Sequence, residues 1–396
     1  MSGAMAALRL WAPPIATMAV VSISLSISVP LFSLLLDRAG ASATEVGINH
    51  TIAAIAMVLT AIVLPRVLAR TGIVPLMVGS IALVALSMLA IPLWDSAYWW
   101  GFLRFGWGVA GTALFFASEF WLVSVSPEET RGRIVGFYVL ILSGSYMIGP
   151  LLLNLLGIDG WLIYGVTTVI ILAAALPVLI GRNQAPPAQT EERQPASRQL
   201  RFFKTDPVIM WGVALFGIIE FGAVGLVTVW GLSSGFDQET SVRFVFWLAF
   251  GSMAFQLPVG WAADRFDRRI LLAIAGGISV SMPLAIMAVG QSAAAISACA
   301  FIWGGVAVSF YSLALTELGS RYKGTDLAAA NAAVMLAYGM GALIGPLGFG
   351  SAMDAMGPDG LLWLAAAVGV CYVALVVLRI LLRPRTRLDS QPQNGR

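Results

Sequence analysis

Gln184-Ala-Pro-Pro-Ala-Gln-Thr-Glu-Glu-Arg193 lies at the centre of a chain of 396 residues that is 59% hydrophobic and only 11% charged. Proline, glutamine and paired charges make this stretch a solvated linker, with too little apolar surface to fold alone. On either side the sequence falls into apolar runs bounded by charges, Gly and Pro, each close to the roughly 20 residues that cross a bilayer core. Six precede the linker, near 10–36, 45–69, 73–93, 98–124, 133–156 and 159–181. Six follow it, near 207–232, 241–263, 269–290, 293–318, 326–351 and 359–382. The pattern predicts an all-α membrane protein of twelve transmembrane helices. A first six-helix bundle is expected over 1–182, a linker over 183–206, a second bundle over 207–383 and a tail over 384–396.

Composition excludes the soluble classes. A globular domain carries about 25% charged residues, and a mean hydropathy of +0.88 leaves too little polar side chain to cover a wet surface. The two cysteines, Cys299 and Cys371, sit in apolar runs, and His50 is the single histidine, so neither a disulfide framework nor a metal centre is expected. The apolar run after Leu10 is too long for the core of a cleavable signal peptide. No Gly-x-x-x-x-Gly-Lys-Ser/Thr loop occurs, and no cofactor is called for.

Charge placement orients the chain. With the N-terminus inside, twenty of the 23 Lys and Arg residues fall in cytoplasmic segments; Arg38 and Arg243 fall outside, and Arg104 lies within a span. Both termini are expected to be cytoplasmic.

The halves repeat at an offset of 195–196 residues. Arg70 matches Arg265, Trp107-Gly108 matches Trp303-Gly304, and Gly149-Pro150 matches Gly345-Pro346. Six spans is an even number, so both copies enter the membrane in one direction. That is a parallel repeat about an axis along the membrane normal, with a site expected between the halves.

Gly260-Trp-Ala-Ala-Asp264-Arg265-Phe-Asp-Arg268-Arg269 resembles the signature loop of the major facilitator superfamily, Gly-x-x-x-Asp-Arg-x-Gly-Arg-Arg, with Asp267 in place of the second glycine. Arg104-Phe-Gly-Trp-Gly108-Val-Ala-Gly111 is similar to that family's fourth-helix motif, and Arg131-Gly-Arg133 to its following turn. Glu119-Phe-Trp-Leu122 and Leu257-Pro-Val-Gly-Trp261 are similar to its YcaD-like bacterial group. The resemblance implies two bundles rocking about a central cavity lined by helices one, four, seven and ten. It also implies a cytoplasmic latch at Gly260, Asp264, Arg265, Arg268 and Arg269. Pro150 and Pro346 each break a backbone hydrogen bond and allow bending, so Gly149-Pro150 and Gly345-Pro346 are read as gating hinges, as tight packing, or as both. The first-half loop departs from the family: Pro65 and Ala69 replace the glycine and aspartate, which leaves Asp264 as the surviving copy. Gly149-Pro150 belongs to a motif common in proton-coupled exporters, but Leu153-Asn154 replace its later glycines, so export is a lean.

Ionisable groups inside hydrocarbon are costly and need a reason. Arg104 and Glu119 in the fourth span, Glu220 in the seventh and Glu317 at the end of the tenth qualify. Glu220 lies thirteen residues into its span, near mid-membrane, and is the favoured proton carrier; a carboxyl bonded to a neighbouring helix as packing glue is the alternative. Arg104 either contacts an anion or a carboxylate, or snorkels to the interface. Glu119 faces the cavity or neutralises Arg131 or Arg133, and Glu317 is expected to be an interface charge. Candidate substrate contacts are Trp107, Phe116, Trp230, Trp303, Tyr311 and Asn331, with Tyr338 a weaker one; His50 is expected to be a wet interfacial residue. Of Ser22, Ser24, Ser26 and Ser28, at most two share a helix face.

The expected function is secondary active transport of a small molecule across the inner membrane, proton-coupled through Glu220. Expected partners are that substrate, protons and the bilayer, with no nucleic acid, in a monomer. A membrane-embedded enzyme would need a nucleophile–base pair or a metal cluster, for which one His and two separated Cys offer no candidate. A transport-inactive receptor is favoured only by the altered first-half loop. A reporter fused after Asn394, or inserted beside Gln194, should read cytoplasmic; an external signal at either site would overturn the charge-based orientation.

Overall fold

The computed structural model describes residues 2–127, 131–187 and 196–381, and among these every regular element is helical. The first bundle contains α1 (Ser2–Arg38), α2 (Ala43–Thr71), α3 (Ile73–Leu93), α4 (Ala97–Val125), α5 (Arg131–Leu156) and α6 (Leu162–Ile180). The second contains α7 (Pro207–Ser233), α8 (Gln238–Arg265), α9 (Arg268–Ala288), α10 (Ala293–Arg321), α11 (Gly324–Met356) and α12 (Gly360–Leu381). All twelve are long and apolar enough to cross a bilayer, and each falls on a run read from the sequence, with ends shifted by a few residues. Positions 188–195 and 382–396, which include part of the linker and the tail, lie outside the described residues.

Helix ends are closed by local chemistry. Ser42 and Glu45 form a reciprocal capping box on α2, Ser292 caps α10, and the Asp237 carboxylate accepts from the Thr240 N–H at the start of α8. Those bonds from Thr240 hold the Asp237 carboxyl below its ordinary range.

Lipid supplies no hydrophobic drive between helices, so they associate where small residues let backbones meet. At Gly108 an added Cβ would press on Ala53 and Ala56 of α2, and at Gly304 it would overlap the Leu248 carbonyl of α8. At Gly149 it would overlap Ser26 of α1, while Gly345 and Gly222 meet between α11 and α7. These pairs are copies of one another at the repeat offset. The repeat is therefore present in the packing as well as in the letters.

Between bundles, α2 lies along α11, α5 along α8, and α1 against the second half of α7. The first two contacts exchange under the pseudo-twofold axis and the third maps onto itself. The inter-bundle hydrogen bonds among the described residues run from mid-membrane, where Ser143 meets Gln256, to the face opposite the linker, called here the distal face. There the Asp354 carboxylate of α11 accepts from the Ala43 and Thr44 N–H groups at 3.0 and 2.9 Å. Arg38 joins Gln238, Asn154 joins the Glu239 carbonyl, and Thr51 reaches the Leu343 carbonyl. The molecule is closed at its distal face.

Gly304→Ala and Gly108→Ala should each lower stability by about 1–3 kcal/mol through overpacking. Gly260→Ala, where an added Cβ meets nothing, should not lower the thermal midpoint of the detergent-purified protein, since helix propensity favours Ala there. Equal midpoints for all three would show that these crossings do not hold the bundles.

Candidate functional site between the bundles

Glu220 occupies a π-helical turn, Ile219–Ala223, at the middle of α7. Such turns insert one residue into an α-helix and are frequent at functional sites. Glycines on both sides bring α11 up to it: a Cβ at Gly217 would overlap the Tyr338 carbonyl, and one at Gly341 the Ala214 carbonyl. The crossing places the Tyr338 hydroxyl where it donates to Glu220 Oε2 at 2.7 Å. Around this pair Phe216 stacks on Tyr338 at 5.5 Å, Phe221 meets it edge-on at 5.7 Å, and Tyr311 of α10 lies 6.0 Å from Phe216. Tyr311 is within electrostatic range of both Glu220 and Glu119, the acid on α4 of the other bundle. Two carboxylates within the spans, one per bundle, thus act on Tyr311. Glu119 has no hydrogen-bond partner among the described residues, and the side chains of Arg131 and Arg133, its expected neutralisers, lie outside them.

Arg104 is 7% exposed and does not snorkel. Its Nη1 donates to Ser28 Oγ of α1 at 2.8 Å, its Nη2 lies 3.0 Å from His50 Nδ1, and the guanidinium stacks over Phe32 at 5.3 Å. No carboxylate pairs with it among the described residues. This agrees with the lack of an acid inside the first span, since hydroxyl, imidazole and ring replace the anion. Tyr146 of α5 is within electrostatic range of both Arg104 and Glu220. Of the four α1 serines, Ser22 reaches the Leu142 carbonyl and Ser28 accepts from Arg104, while Ser24 and Ser26 bond back to their own helix.

His50 differs from expectation. It is 2% exposed and bonded on both ring nitrogens, to Arg104 and to Ser33 Oγ at 2.9 Å. Its position near the start of α2 pointed to the interface; convergence of α1, α4 and α7 around it buries it instead.

The expected aromatic contacts divide. Phe116 is exposed on α4, Tyr311 is half-buried on α10, and Asn331 is exposed on α11. Trp107 and Trp303 are buried in their own bundles, and Trp230 packs on Phe236 and Phe244 near the distal face. Indoles this large fill the bundle cores, which leaves them out of the site described here.

At the linker face Arg268 donates to Glu317 at 3.0 Å, to Ser320 and to the Ala263 carbonyl, tying the start of α9 to the end of α10. Glu317 also pairs with Arg321, which holds the 3%-exposed Asp206 carboxylate at 2.7 Å. Tyr322 donates to that same carboxylate; burial, then this bond, pushes its hydroxyl above the ordinary range. Arg265 stacks on Trp261 at 4.1 Å. The side chains of Asp264 and Arg269 lie outside the described residues, and Gly260 meets no neighbour. Gly149 sits at the α1–α5 crossing and Gly345 at the α7–α11 crossing, while the Pro346 carbonyl packs against Gly47 of α2 in the other bundle. Among the described residues no three His, Cys, Asp or Glu side chains gather as metal ligands.

The chain matches the model of the Major Facilitator Superfamily over residues 15–316 and 244–396. It is 25% identical over 358 residues to YfkF, an uncharacterized MFS-type transporter of Bacillus subtilis (strain 168), covering 88% of this chain and 90% of the relative. It is 24% identical over 293 residues to the uncharacterized MFS-type transporter YcaD of Escherichia fergusonii, covering 73% of each. A bacterial homolog of the human lysosomal transporter Spinster, inward-facing and occupied, superposes with a TM-score of 0.73 at 13% identity, over 96% of this chain and 98% of that one. A D-xylose–proton symporter does so with a TM-score of 0.67 at 15% identity, over 92% and 96%. At such identities the structures are alike in fold alone.

Arg104→Lys keeps the charge but loses the planar fork that holds Ser28 and His50 together. It should lower stability by about 1–3 kcal/mol in thermal unfolding. An unchanged midpoint would mean that the fork does not tie α4 to α1 and α2.

Proposed function

The chain belongs to the Major Facilitator Superfamily, and on that premise we propose that it is a proton-coupled secondary active transporter of a small molecule. In this reading it sits in the cell inner membrane with the linker face and both termini cytoplasmic, as the charge bias argues. The bundles rock about the aromatic cluster, and closure at the distal face corresponds to a cytoplasm-facing state.

The observation that carries the reading is Glu220: a carboxyl at mid-membrane, in a π turn, bonded through one oxygen to Tyr338 across a helix crossing. A group that loads and releases a proton in each cycle needs a partner that suits both of its protonation states. Tyr338, held beside it in the same bundle, supplies one, because a hydroxyl can donate to the carboxylate and accept from the carboxylic acid. Glu119 and Arg104 are auxiliary groups, the first reaching the cluster from the other bundle and the second setting the local charge. Phe116, Tyr311 and Asn331 contact substrate, and the Arg265–Arg268 turn with Asp264 governs closure at the linker face. The Gly345-Pro346 seam and its first-half copy favour export as the direction. Nothing in this reading needs a chemical step, so the protein is not an enzyme.

Glu220→Gln removes the titratable proton and keeps much of the shape and hydrogen-bonding capacity. With a compound that stabilises the purified protein as substrate, the Gln variant should lose uphill transport driven by a proton gradient in proteoliposomes, at least tenfold. It should retain binding and exchange, with Glu119→Gln as the comparison. Proton-driven accumulation at the wild-type rate by Glu220→Gln would sink the proposal, whereas loss of folded protein would favour the packing role.

A further inference from the structure

Arginine has only donors to offer, so the Arg104–His50 contact fixes the imidazole tautomer. Nδ1 accepts from the guanidinium at 3.0 Å, and the ring proton therefore sits on Nε2. Nε2 donates to Ser33 Oγ at 2.9 Å. The Ser33 hydroxyl has two acceptors in reach, the Gly225 carbonyl at 2.8 Å and the Val29 carbonyl of its own helix at 3.1 Å. The shorter bond crosses from α1 to α7. A directed chain results, from the Arg104 guanidinium through His50 and Ser33 to the Gly225 carbonyl, which the imidazole also faces directly. Gly225 is two residues past the π turn that carries Glu220. The imidazole lies flat against it: a Cβ added there would sit 3.2 Å from His50 Cδ2.

All the side chains in this path are buried. His50 is 2% exposed, Ser33 is fully buried and Arg104 is 7% exposed. Arg104 is the charged group facing His50, reaching it from α4; α1 contributes Ser33 and α7 the Gly225 backbone. Three of the helices involved belong to the first bundle and α7 to the second, so the last bond must break when the distal face opens.

We propose that His50 and Ser33 are positioning residues that relay the placement of Arg104 to the Glu220 turn and hold the distal face shut. While Arg104 is drawn onto Ser28 and His50, the imidazole is oriented to donate to Ser33, and Ser33 is left with its proton free for Gly225. Moving the guanidinium releases the ring to rotate, and the α1–α7 bond loses its orientation. The relay thus connects the buried cation of one bundle to the carboxyl-bearing turn of the other. It rests on the rocking-bundle reading above, but it does not require that the proton be the coupling ion.

The test reads conformation directly. In a protein with Cys299 and Cys371 replaced by serine, spin labels at Ala39→Cys and Ser233→Cys, both exposed at the distal face on opposite bundles, report its opening as a distance distribution. Ser33→Ala should raise the ratio of open to closed molecules about three- to tenfold, the range expected for one buried hydrogen bond, and His50→Leu at least as much. Because both break one serial chain, the double variant should open no further than His50→Leu alone. Thr51→Val, which removes the separate bond to the Leu343 carbonyl, should add its own shift to that of Ser33→Ala. Wild-type distributions in the folded single variants would overturn the proposal, and so would additive shifts from His50→Leu and Ser33→Ala. Should His50→Leu fail to fold, Ser33→Ala decides, since it leaves Arg104, Ser28 and His50 in place. Failure of the transport reading appears elsewhere, as absent proton-driven flux, and leaves these distances unaffected.

Discussion

Backbone contact at glycine is the constraint on which the rest of this structure depends. In a bilayer, apolar side chains gain nothing by leaving lipid for one another, so dispersion at close approach and satisfied polar groups must hold the helices. Gly108, Gly149, Gly304 and Gly345 each bring two helices together until no Cβ fits between them. The same seam at Gly217 and Gly341 is what delivers Tyr338 to Glu220. Had either glycine carried a side chain, α7 and α11 would stand further apart and the carboxyl would lose its partner.

The scaffold obeys the internal repeat; the charges inside the spans do not. At the offset of 196, Arg104 corresponds to Ala300, Glu119 to Leu315 and Glu220 to Ser24. Symmetric packing can be met by small residues in both halves, whereas a membrane-embedded charge is costly and is kept only where it serves one side of the cavity. The asymmetry gives the two bundles different tasks around a shared centre. Arg104 is settled among hydroxyl, imidazole and ring in the first, and Glu220 sits in a π turn of the second.

The distal closure is assembled from many modest contacts. Asp354 satisfies two of the open N–H groups at the start of α2, where the helix dipole favours a carboxylate. Arg38, half-exposed and paired with the exposed Asp159 of its own bundle, donates across to Gln238, and exposed contacts of this kind are worth at most about 1 kcal/mol in water. Ser33, Thr51 and Asn154 add neutral bonds to backbone carbonyls. A gate built this way can open without any single large penalty, which suits bundles that exchange between two arrangements. A buried ion pair at the same place would resist opening far more strongly.

Twelve spans, the parallel repeat and the unusual depth of Glu220 and Arg104 were all determined by the sequence itself. Each is a matter of hydropathy along one dimension or of a charge inside an apolar run, and neither needs a neighbour to be recognised. Direction around a helix was not legible, because the cavity helices are apolar on every side and offer no polar stripe to set their phase. That is why Trp107, Trp230 and Trp303, read as substrate contacts, lie in packed cores, while Tyr338, ranked below them, holds the central carboxyl. His50 shows the same limit most clearly. Seven residues into α2 it has the address of an interfacial side chain, and only the meeting of α1, α4 and α7 excludes water from it and bonds both its nitrogens. Depth in the membrane is a property of the chain, but burial and partnership belong to the neighbours that tertiary structure brings.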